Sequence, residues 1–432
     1  MKGLKYITVI FLFILQVLSA QQINVKLGVE VLAESNFDVL QNKRVGLVTN
    51  PSGVDSKLKS TIDILHSAEN VNLVALFGAE HGIRGDVEGG DKISDSNDKV
   101  TGLPVYSLYG KNRKPSKDML DNIDVIVYDI QDVGCRSYTF ISTLGKIMEA
   151  AAEFDKEVIV LDRPNPLSWN KVEVNIVEDG YFSFIGQFPI PYVYGLTVGE
   201  LANMLNNEGM LQDGVKCKLH VVKMEGWERQ YSFEDTGLNW VPTSPHIPHK
   251  TSPAFYVMSG ILGELRDVIS IGVGYTLPFQ TFAYKNVNGI ELAEKLNALN
   301  LPGLLFMPIS YKPYYAFAKG EFISGVEVFI TNFRKANLMK TQLYVLQELH
   351  NMYPDYNIFE ATNENHLRAF DKAMGTDKVR KIFSKTFKVS DVDNYLDKDI
   401  DSFKTLAKKY YLYKWCFNHQ NLLVHHRLAI VL

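Results

Sequence analysis

"DVIVYDIQDVGCRSYTF" (residues 124–140) is a short apolar run without alternation, closed by a polar, turn-rich segment. A run of this kind suits a strand buried on both faces, where no side of the pleat meets water. Three more stretches follow the same plan: "KRVGLVTN" (43–50), "VNLVALFG" (71–78) and "KEVIVLD" (156–162). Helical spacing separates them. "KLKSTIDILHSAEN" sets Leu58, Ile62 and Leu65 three to four residues apart, and "SYTFISTLGKIMEAAAEF" does so with Phe140, Leu144, Ile147, Met148 and Ala151. Strands alternating with helices predict an α/β fold with a mostly parallel sheet and helical crossovers.

The segments after the four runs are "TNPSGVD", "GAEHGIRGD", "DIQDVGCRSYT" and "DRPNPL". All lie at the strands' C-terminal ends, the edge where open parallel sheets bind ligands. Four loops are therefore expected on one rim. The second belongs to "LFGAEHGIRGDVEGGD" (76–91), which places Glu80, His81, Arg84, Asp86, Glu88 and Asp91 among five glycines. A carboxyl in a partly desolvated cleft can be tuned to move a proton. An arginine can hold a carboxylate with two parallel hydrogen bonds. A capped surface turn is the plain alternative for this loop. Asp129, Gln131, Asp132, Arg136 and Tyr138 in the third loop suit a ligand rich in hydroxyls; helix capping by Asp132 with an Asp–Arg pair is the plain reading there. Asp162, Arg163 and Asn165 stand on a loop stiffened by two prolines, which would equally serve as a rigid turn between domains. Asn50 and Ser52 lack the Gly-Lys-Ser/Thr ending of a phosphate loop.

The chain has 432 residues, 46% hydrophobic and 22% charged, with a net charge of −4. Length allows roughly two or three domains at about 150 residues each. The charge and the lack of long basic runs speak against nucleic acid as a partner. Three widely spaced cysteines make no disulfide scaffold and no zinc ribbon. His246 and His249 lack a nameable third ligand, so no metal is expected. No Gly-x-Gly-x-x-Gly follows a strand, so no dinucleotide cofactor is expected. "MKGLKYITVIFLFILQVLSAQQ" opens with Lys2 and Lys5, continues with an apolar run too short to span a bilayer, and ends in small residues. It reads as a signal peptide over 1–20, giving an exported, periplasmic protein with no stable membrane insertion after cleavage. An uncleaved anchor is the alternative.

Beyond residue 170 the spacing predicts a second α/β (α+β) domain over 171–413. Thr197 and Glu200 form a capping box. Strands are expected at 216–222 and 324–330, and helices at 289–298, 337–352, 365–374 and 377–384. The tail, 414–432, has no clear period.

"GLVTNPSGVD", "LFGAEHGIRGD", "YDIQDVGCRSYTF", "LDRPNPL", "GLTVGELANMLN" and "LPF" (277–279) together resemble the exo-β-N-acetylmuramidases of the NamZ type, glycoside hydrolase family 171, over roughly 25–413. The resemblance implies a Rossmann-like N-terminal domain (21–170 here), a second α/β domain, and an active-site cleft between them. It implies a hydrolase that removes MurNAc from non-reducing ends of peptidoglycan fragments during cell-wall recycling, without cofactor. It places Glu80 at the family's acidic position, with His81, Asp129 and Asp132 as further catalytic candidates. Asn50, Ser52, Arg84, Gln131, Arg136, Tyr138, Asp162, Arg163 and Asn165 are expected to bind substrate, with Arg84, Arg136 or Arg163 on the lactyl carboxylate. Where relatives carry Arg-His, Pro-Ser-Pro-Asn and Gly-Arg-Gly-Thr, this chain has Val193-Tyr194, Thr243-Ser244-Pro245-His246 and Gly272-Val273-Gly274-Tyr275. A non-catalytic periplasmic binding protein for cell-wall sugars is the rival reading, since two domains around a cleft serve either purpose.

Overall fold

The computed structural model describes residues 25–85, 96–110, 112–167 and 171–415. The expected signal peptide, the acids Asp86, Glu88 and Asp91, and the tail after Trp415 lie outside these.

The four apolar runs become β1 (Arg44–Thr49), β2 (Asn72–Gly78), β5 (Val125–Asp129) and β6 (Glu157–Leu161). β3 (Ser96–Asn97), β4 (Pro104–Ser107) and β7 (Lys218–Val222) complete a seven-stranded sheet of order β3-β4-β2-β1-β5-β6-β7. Every neighbouring pair is parallel except β3 with β4. Without the two-residue β3, the strands stand third, second, first, fourth, fifth, sixth in chain order. This is the doubly wound arrangement, with its direction reversing between β1 and β5.

The unalternating runs have a direct cause. Ile126 and Tyr128 point into one buried cluster with Phe140, Leu144, Ile147 and Met148 of the helix Phe140–Glu153. Val125 and Val127 point into the other, with Val29 and Leu32 of the helix Gly28–Glu34 and Ile62 and Leu65 of the helix Thr61–His66. Both faces are covered, so neither set of alternate positions is polar.

Two expectations are corrected. The helix through Leu58 starts later, at Thr61. The Asp55 carboxylate accepts from the amides of Lys57 and Lys59, 2.9 and 2.8 Å away, and closes a turn there. Leu58 is left exposed at φ +66°. The strand at 216–222 does not open a second unit at residue 171. It is β7, hydrogen-bonded to β6, and the helix Val198–Asn207 returns with it to the first sheet. That helix carries the expected capping box: Thr197 Oγ1 accepts from the Glu200 amide, and Glu200 Oε2 accepts from the Thr197 amide.

The second sheet is antiparallel, β8 (Thr281–Tyr284), β10 (Ile323–Ile330) and β9 (Leu304–Tyr311), with β10 central. The helix Gly289–Ala298 packs on it and the helix Leu338–Met352 packs against that helix, each N-capped by an asparagine, Asn288 and Asn337.

Arg136, expected in the substrate site, holds the fold instead. Its guanidinium is fully buried. Nη1 donates to the carbonyls of Asn175 and Ile190, and Nη2 to those of Ala373 and Met374, at 2.7–3.0 Å. The last two are end carbonyls of the helix Glu364–Met374, which have no intrahelical partner. Arg136→Met therefore removes the donor from four buried carbonyls, of which only Met374 keeps another, the Asn175 side-chain amide at 3.5 Å, and is expected to cost at least about 3 kcal/mol, read as a lowered urea midpoint. A normal midpoint with lost substrate binding would return Arg136 to the site. In the loop after β1, a Cβ on Gly53 would lie 2.1 Å from Thr49 Oγ1 and 2.9 Å from the Asp129 carbonyl. Gly53→Ala is expected to destabilise by about 1–3 kcal/mol. Calorimetric melting checks it; an unchanged Tm would mean that the β1–β5 crevice is looser than described.

Candidate active site

The four loops do lie at the C-terminal rim, and those after β1, β5 and β6 are locked to one another. Ser52 Oγ donates to Asn50 Oδ1 and accepts from the Gln131 amide, joining the loops after β1 and β5. Gln131 Nε2 donates to the carbonyls of Asp132 and Pro164, joining β5 to β6. Arg163 binds Asp129 through Nε and Nη2, at 2.5 and 2.8 Å, and reaches the Val54 carbonyl. Thr61 donates to the same carboxylate. Asn165 ties the β6 loop to the Leu196 carbonyl. Asp162 accepts from the amides of Arg163 and Gly199 and the hydroxyls of Thr197 and Tyr413; burial still pushes its carboxyl up to about 6.

These bonds change how several expected site residues are read. Asp129 has both oxygens engaged, so it is not poised as a catalytic base. Arg163 is committed to Asp129 and Val54. Asp162 and Asn165 are braced within the protein. Arg84 grips Asp98 through two nitrogens, at 2.7 and 3.0 Å, and reaches Asp63. That guanidinium holds the Asp98 carboxyl well below the usual carboxylate range. Buried or paired charges are satisfied first by their neighbours. All three arginines expected on a lactyl carboxylate thus already have acceptors.

A shallow hollow opens beside this frame, lined by Ser52, Gln131, Arg163, Phe233, Leu238 and Trp240. Its one carboxylate, Asp55, is engaged in the turn at Lys57–Lys59. Glu80 is not in its lining, and the reactive groups gather elsewhere, beyond β2.

Glu80 is half-buried two residues after β2. Its carboxylate accepts from Thr139 Oγ1 at 3.5 Å and from the Tyr109 hydroxyl. Burial, and then the hydrogen bond to Glu80, push the Tyr109 hydroxyl up to about 12, so it stays a donor. His81 follows at φ +75°, a left-handed conformation that costs a non-glycine residue about 1–3 kcal/mol and gathers at functional sites. Its Nδ1 is buried without a hydrogen-bond partner among the described residues.

The opposite wall comes from later in the chain. Thr243 takes the Asn50 side-chain amide on its carbonyl and pairs its hydroxyl with Tyr138 at 2.7 Å. Tyr138 stands edge-on to Phe140 and Tyr256 and lies within the fields of both Glu80 and Asp132. His246 Nε2 is 2.6 Å from the Tyr315 hydroxyl. Burial, and then the nearby His81, lower the His246 pKa. Asp132 Oδ2 accepts from the Gly134 amide and the Tyr194 hydroxyl, while Oδ1 is buried with no partner among the described residues. Burial pushes this carboxyl up to about 6.

The cleft therefore brings together Glu80, His81, Asp132 and Tyr138 of the expected residues. It adds Tyr109, Thr139, Tyr194, Thr243, His246 and Tyr315, which the sequence did not single out for this role. Among the described residues no group of three or more His, Cys, Asp or Glu side chains is placed to hold a metal. A half-buried carboxyl with hydroxyl and imidazole neighbours can exchange a proton with a bound hydroxyl-rich ligand.

Comparison with known proteins agrees with this architecture. The N-terminal model of the exo-β-N-acetylmuramidase NamZ family matches residues 45–251, and the C-terminal model matches 254–413. The chain is 40% identical over 395 residues to the peptidoglycan β-N-acetylmuramidase NamZ of Bacillus subtilis (strain 168), covering 91% of this chain and 93% of that protein. Among solved structures, a DUF1343 family protein of Bacteroides fragilis NCTC 9343 (BF0371) superposes with a TM-score of 0.87 at 57% identity. A second from the same organism (BF0379) gives 0.71 at 28%. Each alignment covers 91% of this chain and 100% of the other. The chain belongs to the exo-β-N-acetylmuramidase NamZ family.

Proposed function

We propose that this protein is an exo-acting glycoside hydrolase that removes β-N-acetylmuramic acid from the non-reducing ends of peptidoglycan fragments, with Glu80 as general acid/base. The observation that carries the reading is the placement of Glu80, half-buried at the rim of a doubly wound sheet between Tyr109, Thr139 and His81.

An alkoxide leaves a sugar poorly, so an acid must protonate the glycosidic oxygen while positive charge builds on the ring. Glu80 gives its proton to the departing oxygen, with Tyr109 and Thr139 aiming the carboxyl; a water then adds to the anomeric carbon and returns a proton to Glu80, which completes the hydrolysis. Asp129, bound to Arg163, is left out of the chemistry. Asp132 acts from beneath the cleft: its ionised form sets a negative charge in a low-dielectric floor, where it favours an oxocarbenium-like state. With the arginines engaged, recognition of the lactyl carboxylate falls to the N–H and O–H donors of His81, His246 and Tyr315. The leader-like residues 1–20 support export, which places the enzyme with periplasmic cell-wall fragments and their recycling.

The test is turnover of a chromogenic β-MurNAc glycoside and its GlcNAc twin, which lacks the lactyl group. The MurNAc compound is expected to be cleaved at least about a hundredfold faster, the penalty for leaving polar groups unpaired. Release from neither would remove the hydrolase reading. Glu80→Gln is expected to lose about 10²–10⁴ in kcat. Near-wild-type turnover would take Glu80 out of the role. Because burial holds Asp132 at about 6, its ionised fraction falls below that pH, and kcat/KM is expected to fall with it. Asp132→Asn should be slow and lack that acidic limb; a limb that persists would belong to another group.

A further inference from the structure

β9 and β10 are joined by an excursion between the paired residues Tyr311 and Ile323. It displays Tyr314 at 68% exposure and Tyr315 at 48%. Large rings in water are costly, and clustered ones mark a binding surface. This cluster is held rigid. The Tyr314 amide donates to the Gly274 carbonyl at 2.7 Å, and the Gly320 amide closes onto the Pro313 carbonyl at 2.9 Å. A Cβ on Gly274 would lie 2.1 Å from the Tyr315 carbonyl, so the two segments touch through bare backbone. The Tyr275 ring lies nearly parallel to Tyr311, at 4.3 Å and 18°, and to Tyr314, at 6.2 Å and 22°. Three rings thus share one orientation, with Tyr314 outermost. Phe322 is set apart, its ring carrying the Lys312 ammonium at 4.5 Å.

The segment that carries the platform continues into the cleft. Tyr315, next to Tyr314, is hydrogen-bonded to His246, which lies near His81 beside Glu80. An enzyme that removes a non-reducing terminal sugar has no sugar beyond that unit on the non-reducing side. Whatever extends from its cleft belongs to the leaving chain. Pyranose rings present apolar C–H faces, and parallel aromatic rings receive such faces without demanding one hydrogen-bond pattern. We propose that Tyr275 and Tyr314 form a subsite for the saccharide on the leaving side of the scissile bond, binding the amino-sugar chain that remains after cleavage. The proposal rests on the hydrolase reading for its direction, not for its existence.

The experiment compares kcat/KM for a peptide-free MurNAc-terminated tetrasaccharide with that for the chromogenic β-MurNAc glycoside, which has no leaving-side sugar. Tyr314→Ala is expected to lower this ratio about three- to tenfold, through KM, the scale of one lost aromatic contact. Tyr314→Phe should keep it. An unchanged ratio in Tyr314→Ala overturns the subsite. A loss seen only with peptide-bearing tetrasaccharide assigns the platform to stem peptide and overturns it too. Calorimetry with the peptide-free trisaccharide product gives a readout independent of turnover: weaker binding by Tyr314→Ala supports the platform, and equal binding overturns it. If the wild type cleaves nothing, the hydrolase reading falls, while the binding comparison still decides the platform.

Discussion

The buried pair of Asp129 and Arg163 is the constraint on which the rim depends. Asp129 ends β5 and Arg163 follows β6, so the bidentate contact fixes two adjacent strand ends at their ligand-binding edge. Its remaining contacts, Thr61 and the Val54 carbonyl, reach the segments after β1. A buried ion pair contributes little net stability compared with apolar residues of the same shape, but breaking it leaves an unpaired charge. Its value here is positional: charge that would otherwise compete for a ligand is used to hold loops in place.

That use divides the polar residues of the rim into two groups. Asn50, Ser52, Gln131, Asp162 and Asn165 brace the loops against one another. Glu80, His81, Tyr109, Tyr138, His246 and Tyr315 are left to meet a ligand. The frame lies over β1, β5 and β6, the reactive groups lie past β2, and Thr243 bridges them through Asn50 and Tyr138. The strained backbone of His81 fits this division. A rigid frame can hold one residue in a costly conformation.

Much of the fold was legible in the sequence because its causes are local or periodic. Strands covered on both faces must be apolar throughout, and four were. Thr197 and Glu200 satisfy each other within one turn, so their capping box could be read directly. The helix start at Leu58 was misread because Asp55 captures two amides just before it, a competition that spacing does not report. The membership of β7 was hidden because a strand's partner is a non-local choice. At the site, sequence supplied donors and acceptors but not who satisfies whom. Arg136 looked like a ligand residue, yet its four acceptors come from residues 175, 190, 373 and 374. Among 22 tyrosines nothing local marks Tyr109 or Tyr315, and Tyr194 stands out only as a departure from the Arg-His of relatives.

The most direct measurement is the crystal structure of the Glu80→Gln protein with MurNAc-GlcNAc bound. The glycosidic oxygen should lie within hydrogen-bond distance of the side chain at position 80, with the lactyl carboxylate toward His81 and His246 and no sugar atom on Asp129. Density for the disaccharide in the hollow lined by Ser52, Gln131, Arg163 and Trp240, away from position 80, would contradict the account.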